Sequence, residues 1–232
     1  VALTRENYQT LVLLSVVPGI ASVFVLARWV RERPASPGVQ ASSVRLAWRG
    51  LDGRFRAYLV LLAIFTLGNS SDAFLMLRAQ TLGFQPVEIF FLLAAFNLVI
   101  TLSSTPVGAL SDRLGRRGLI IAGWVIYAVI YVGFAFASSA WHVWALYLGY
   151  GLYYGAFQGA ANALVADLVP PELRGTAYGL FNGAIGVAAF PASLLAGLLW
   201  DWYGAPAPFL TGGILALVAA VGVLAVIPRA DR

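Results

Sequence analysis

GALSDRLGRR, residues 108–117, closes one long apolar stretch and opens the next, and its pattern G-x-L-x-D-x-x-G returns as GLLWDWYG at 197–204. Each copy stands where a run of membrane-length hydrophobicity ends, so the chain reads as a repeated unit of membrane helices. The first copy runs on into Arg116 and Arg117, whereas the second has no arginine beside it. That asymmetry puts the two copies on opposite sides of a bilayer.

Composition agrees with this. The 232 residues are 60% hydrophobic and 11% charged, with a mean hydropathy of +0.83. That is more apolar surface than one soluble core can hide. Stretches of about 20 residues with few charges recur, the length needed to cross roughly 30 Å of hydrocarbon. There is no cysteine, hence no disulfide, thiol nucleophile or thiolate metal site. The net charge of +5 comes from 15 basic residues, all arginine, spaced by topology and not gathered into a nucleic-acid-binding face.

Seven spans are expected, near 10–30, 57–83, 87–111, 117–138, 141–167, 175–200 and 206–228. The segment 31–56 between the first two is polar and arginine-rich. If it is cytoplasmic, alternation places 13 arginines inside and only Arg5 and Arg78 outside. The N-terminus has no signal-peptide pattern. It opens on Val1 and leads straight into a span, which suggests a fragment whose earlier helices are missing.

GALSDRLGRR, between two spans on the arginine-rich side, closely resembles the signature loop of the major facilitator superfamily. Members of that family usually have twelve helices in two six-helix halves joined by a cytoplasmic linker, each half made of two inverted three-helix repeats. The resemblance implies an all-α polytopic membrane protein with seven transmembrane helices, six of them an inverted-repeat bundle. Residues 1–30 would hold the last helix of a missing N-terminal half, 31–56 the cytoplasmic linker, and 57–228 the C-terminal bundle. The two octapeptides then end the second helix of each unit, on opposite faces. VPPELRG at 169–175 resembles the corresponding family loop, with Pro170 and Pro171 stopping one helix and Glu172 suited to the start of the next. Asp167 would pair with Arg174 or with linker arginines, or be solvated.

In the loop, Gly108 and Gly115 permit close packing and a sharp turn. Asp112 can accept amides at a neighbouring helix end, while Arg113, Arg116 and Arg117 can hold carboxylates or anionic lipid. The resemblance implies a cytoplasmic latch whose partner lies in the other half; an ordinary positive-inside loop is the alternative.

Inside the membrane, Asp72 is the most informative residue. It lies about 14 residues, or roughly 21 Å, beyond Tyr58, past the midplane. A carboxylate there costs on the order of 3 kcal/mol and by default marks a functional site. Asn69, Ser70 and Ser71 make a polar patch with it, and Gly68 could let the helix bend. Such a carboxyl can exchange protons or meet substrate. The alternative is an ion pair with Arg78, although six positions on a helix leave the two about 120° apart; Arg78 otherwise snorkels outward or meets an anionic group at the mouth.

Asn97, Thr101 and Ser104 share a face of the third span, Tyr147, Tyr154 and Gln158 a stripe of the fifth with Tyr150 and Asn162 beside it, and Asn182 lies in the sixth near Pro191, an expected kink. Each of these groups alternatively bonds a neighbouring helix. The fourth and seventh spans carry no charge or amide, so the polar spans are expected to face a cavity and the bland ones lipid. Trp124, Trp141, Trp144, Trp200 and Trp202 read as interface anchors or packing.

No nucleotide, metal or hydrolase motif is present, so neither cofactor nor metal is expected, and transport would be secondary. The expected role is a share of a secondary transporter of a small molecule, in a bacterial inner membrane with linker and C-terminus cytoplasmic, working by alternating access and coupled to protons through Asp72. A membrane scaffold or regulatory subunit with the same fold is the competing reading. Its partners would be lipid and the missing N-terminal half; nucleic acid is not among them.

Overall fold

A computed structural model describes residues 5–29, 50–70 and 72–227, apart from the side chains of 5–15, 26, 105–114, 156 and 158. The chain divides into two compact units, 1–42 and 43–232. In the first, α1 (Arg5–Trp29) runs through Pro18 and covers the expected first span as far as Trp29, where the described residues stop; its described apolar part is Val16–Trp29. Of the 31–56 linker, residues up to 49 lie outside the described set.

The second unit is a helical bundle: α2 (Gly53–Gly68), α3 (Ala73–Thr81), α4 (Pro86–Leu114), α5 (Arg116–Phe136), α6 (Ala140–Leu168), α7 (Arg174–Tyr203) and α8 (Pro206–Val226). A 3-10 turn, Pro171–Leu173, sits between α6 and α7, where Pro170 and Pro171 block any continuation of the helix. Among the described residues five segments are long and apolar enough to cross a membrane, namely 53–81, 86–104, 116–136, 171–203 and 206–226. The span expected at 141–167 is the single helix α6. The chain is an all-α, multi-pass membrane protein.

Local chemistry explains the boundaries. Pro86 opens α4 and Pro206 opens α8, positions where a missing N–H costs nothing. The backbone N–H of Gln85 donates to Glu88 Oε2 at 2.7 Å, a side-chain cap on the start of α4. The last glycines of the two octapeptides do the same job: Gly115 follows α4 at φ 76° and Gly204 follows α7 at φ 83°, left-handed turns that a side chain would resist. The repeat seen in the sequence is thus a repeat of helix endings. At Pro191, by contrast, α7 continues as one helix.

Packing runs across the two three-helix units more than within them. α5 packs most extensively on α8, α4 on α6, and α2 on both α7 and α8, while neighbours within a unit touch less. Exchanging the units (α2–α3 with α6, α4 with α7, α5 with α8) maps this set of pairs, together with the close α5–α6 pair, onto itself. Three helices is an odd number, so two such units enter the membrane from opposite sides.

The bland spans do not lie wholly against lipid. α5 exposes Val125, Ile126 and Val129 on one side, but buries Trp124, Tyr127 and Tyr131 on the other. Of the five membrane-length segments it is the most buried and the 171–203 segment the least. The sequence contrast between polar and bland spans had suggested the reverse. The physical reason is that aromatic rings, having neither charge nor amide, pass as bland while supplying the largest fully buried side chains. Trp124 stacks on Phe65 with centroids 4.8 Å apart.

Candidate functional site

The first span of the bundle is broken where its polar patch lies. α2 stops at Gly68, and the N–H of Asn69 turns back to the carbonyls of Phe65 and Thr66, both at 3.0 Å. α3 restarts after Asp72, whose carbonyl accepts the N–H groups of Leu75 and Met76 at 3.1 and 3.2 Å. Asn, Ser and Asp side chains compete with helical backbone bonding, which favours an interruption here. The neighbouring helix reinforces it. A Cβ on Gly68 would stand 2.9 Å from the carbonyl oxygen of Gly212 in α8 and 2.9 Å from Leu215 Cβ, so the two backbones touch at the break.

Two tyrosine hydroxyls serve the interruption. Tyr150 of α6 donates to Asp72 Oδ1 at 2.9 Å. Tyr127 of α5 lies 3.2 Å from the carbonyl oxygen of Gly68 and 3.3 Å from Asn69 Oδ1. The Gly68 carbonyl, the Asn69 amide and the Asp72 carboxyl are therefore met inside the bundle, as discontinuous backbone at membrane depth requires. Around Tyr150 the rings of Phe96, Tyr147, Tyr153 and Tyr154 lie 5.4–6.5 Å away by centroid. Asp72 itself is half-buried.

The suggested Asp72–Arg78 ion pair does not form. Arg78 turns instead to the end of α5, its Nε donating to Phe134 O at 3.1 Å and its Nη2 to Ala137 O at 2.7 Å and Ala135 O at 3.4 Å. A guanidinium over the last carbonyls of a helix suits the negative end of its dipole. It ties α3 to α5. Arg78→Gln is expected to lower the stability of the purified protein by about 1–2 kcal/mol, measured as a lower melting temperature in detergent.

The other expected residues are spread over exposed faces. Asn97 donates to Leu93 O at 2.8 Å, Thr101 to Asn97 O at 2.8 Å and Ser104 to Thr101 O at 3.2 Å, all within α4 and all exposed. Asn182 does likewise on α7, to Tyr178 O at 2.9 Å. Tyr154 is half-buried against Phe96 and Tyr150, and the side chain of Gln158 lies outside the described set. Among the described residues no group of His, Asp or Glu could hold a metal.

At the 108–117 loop, Gly115 makes its turn, while the side chains of Asp112 and Arg113, and the surroundings of Gly108, are not described. Arg116 pairs with Asp167 and donates to Ala163 O at 3.1 Å, both near the end of α6. Asp167 was expected to find Arg174 or a linker arginine; its partner is instead the loop's own Arg116, because α5 starts beside the end of α6. Arg117 donates to Leu224 O at 2.6 Å near the end of α8. Both arginines therefore clamp helix ends within this bundle.

Sequence reasoning missed Tyr127 as a site residue and gave Tyr150 only a flanking place. The available signal was density: Tyr127 and Tyr131 one turn apart on α5, and Tyr147, Tyr150, Tyr153 and Tyr154 on α6.

Comparison with known proteins extends the picture. The model of the Major Facilitator Superfamily matches residues 2–190 and, separately, 59–232. An uncharacterized MFS-type transporter of Methanocaldococcus jannaschii is 31% identical over 226 residues, which is 94% of this chain and 55% of that protein. A multidrug resistance protein of Proteus mirabilis is 30% identical over 68% of this chain and 41% of its own length. The class C tetracycline resistance protein of Escherichia coli is 32% identical over 53% of this chain and 31% of its own. The chain thus spans about half the length of these relatives, or less. Since the family model reaches from one end of the chain to the other and takes in both octapeptides, the chain belongs to the Major Facilitator Superfamily.

Proposed function

We propose that this chain supplies the C-terminal half of a secondary transporter, which moves a small amphipathic or cationic solute across a bacterial inner membrane by alternating access, with proton coupling at Asp72. In this reading 57–228 is the bundle, 31–56 a cytoplasmic linker and α1 the last helix of the other half. One observation carries it: a carboxyl deep in the membrane stands at a break in its helix and is held by a hydroxyl from the opposite three-helix unit. A merely structural bundle has no need for a charge that costs on the order of 3 kcal/mol to insert. In this reading the interlocking of the two units lets the bundle rock as one body, and Asn97 and Thr101 of α4 and Asn182 of α7, all exposed, are the polar groups that would meet the other half. Arg116 and Arg117 brace the cytoplasmic end, and Asp112 and Arg113 are the latch groups proposed to engage the opposing half.

The relatives named for multidrug and tetracycline resistance suggest the probes. The complete gene product, reconstituted in liposomes, is expected to accumulate ethidium or tetracycline when a proton gradient is imposed and to stop when a protonophore collapses it. Binding without any gradient-driven movement of either probe would favour the scaffold.

A further inference from the structure

We infer that Tyr150 is a positioning residue for Asp72, aiming its carboxyl and linking that carboxyl's protonation to the packing between the two three-helix units. The inference rests on the proton-coupling reading above.

Asp72 occupies the N-cap position of α3, where an aspartate ordinarily turns its carboxylate onto the first amides of the helix. Here no side-chain cap bond forms; Oδ1 goes to Tyr150 instead. The donor is well fixed. Tyr150 is only 1% exposed, and its ring stacks between Phe96, with centroids 5.4 Å apart and planes 17° apart, and Tyr153, at 5.8 Å and 24°. A tyrosine so held has little freedom to follow a moving carboxyl, so the bond is kept or lost as the carboxyl shifts. The two partners belong to different units, α3 to the first and α6 to the second. Each change at Asp72 is therefore felt across the seam on which the bundle depends.

The other titratable groups packed around the Tyr150 ring that meets Asp72 are Tyr147, Tyr153 and Tyr154 from α6 and Tyr127 and Tyr131 from α5. On the element of Asp72 itself, Arg78 is turned to the α5 carbonyls. Among the described residues it is Tyr150 that places its hydroxyl on the carboxyl. A hydroxyl donor is worth more to a charged carboxylate than to a neutral acid, so its removal alters the pH at which the group works.

The test uses the complete reconstituted protein with ethidium as probe, its gradient-driven transport measured across a pH series. Tyr150→Phe is expected to move the pH profile upward by about one unit, and Tyr58→Phe, which removes a buried hydroxyl of α2 that bonds nothing among the described residues, to leave it in place. Fluorotyrosine at position 150, a stronger donor of nearly the same shape, is expected to move it downward, and serves if Tyr150→Phe does not fold. An unmoved profile in both, with Asp72→Asn inactive, overturns the positioning role and leaves the coupling reading standing. Unchanged gradient-driven transport by Asp72→Asn overturns the coupling reading itself.

Discussion

Gly212→Val is expected to abolish recovery of folded protein. A Cβ at this position would stand 2.5 Å from the carbonyl oxygen of Gly68 and 2.8 Å from the ring of Tyr131. Neither neighbour can give way cheaply. The Gly68 carbonyl belongs to the broken end of α2 and accepts the Tyr127 hydroxyl, and Tyr131 is 1% exposed and stacked on Tyr127 with centroids 4.0 Å apart. Overpacking an ordinary core costs about 1–3 kcal/mol. Driving a β-branched side chain into backbone at an already interrupted helix is expected to cost about 4 kcal/mol or more, enough to unfold a marginally stable bundle. Size-exclusion chromatography in detergent reads the result as a lost monodisperse peak. Gly159→Val is the control, because a Cβ there meets nothing within 4 Å. Equal loss in both variants would place the cause in helix propensity and not in the contact.

Asp72→Asn is expected to have the opposite profile, with the fold retained and function lost. Asparagine has almost the same shape and keeps an oxygen that can accept the Tyr150 hydroxyl, so the 2.9 Å contact survives. The amide cannot bind and release a proton in the working range. Proton-driven accumulation of ethidium should therefore disappear, while energy-independent exchange of labelled for unlabelled probe across the liposome continues. The melting temperature in detergent should match that of the parent protein. A variant that still accumulates probe against its gradient would remove Asp72 from the coupling step.

The helices were the easiest part to read. Length and hydropathy located the helices to within a few residues, since a bilayer demands runs of nearly fixed length and the loop glycines, prolines and arginines punctuate them. The octapeptide located the two helix endings at Gly115 and Gly204 because it encodes a local backbone conformation. What depended on distant partners was less legible. Gly68 signalled a bend, but not that the end of α2 there would lie against Gly212, more than a hundred residues away. Arg78 and Arg116 carried charges whose partners could only be guessed, and both went to helix ends about fifty residues or more away along the chain. The tyrosines of α5 and α6 read as bland because hydropathy counts rings as apolar; their hydroxyls became informative only once the break gave them something to bind.

The interlocking of the two units has a consequence for how the protein is made. Helices leave the ribosome in order, yet α2 waits for α7 and α8, and α5 waits for α8, before either finds its main partner. Until residue 206 and beyond have entered the bilayer, the broken backbone at Gly68 lacks the α8 surface that presses against it. The nascent chain must be sheltered through most of its synthesis, and quality control in the membrane can tell a finished bundle from an unfinished one by a single late event, the arrival of α8.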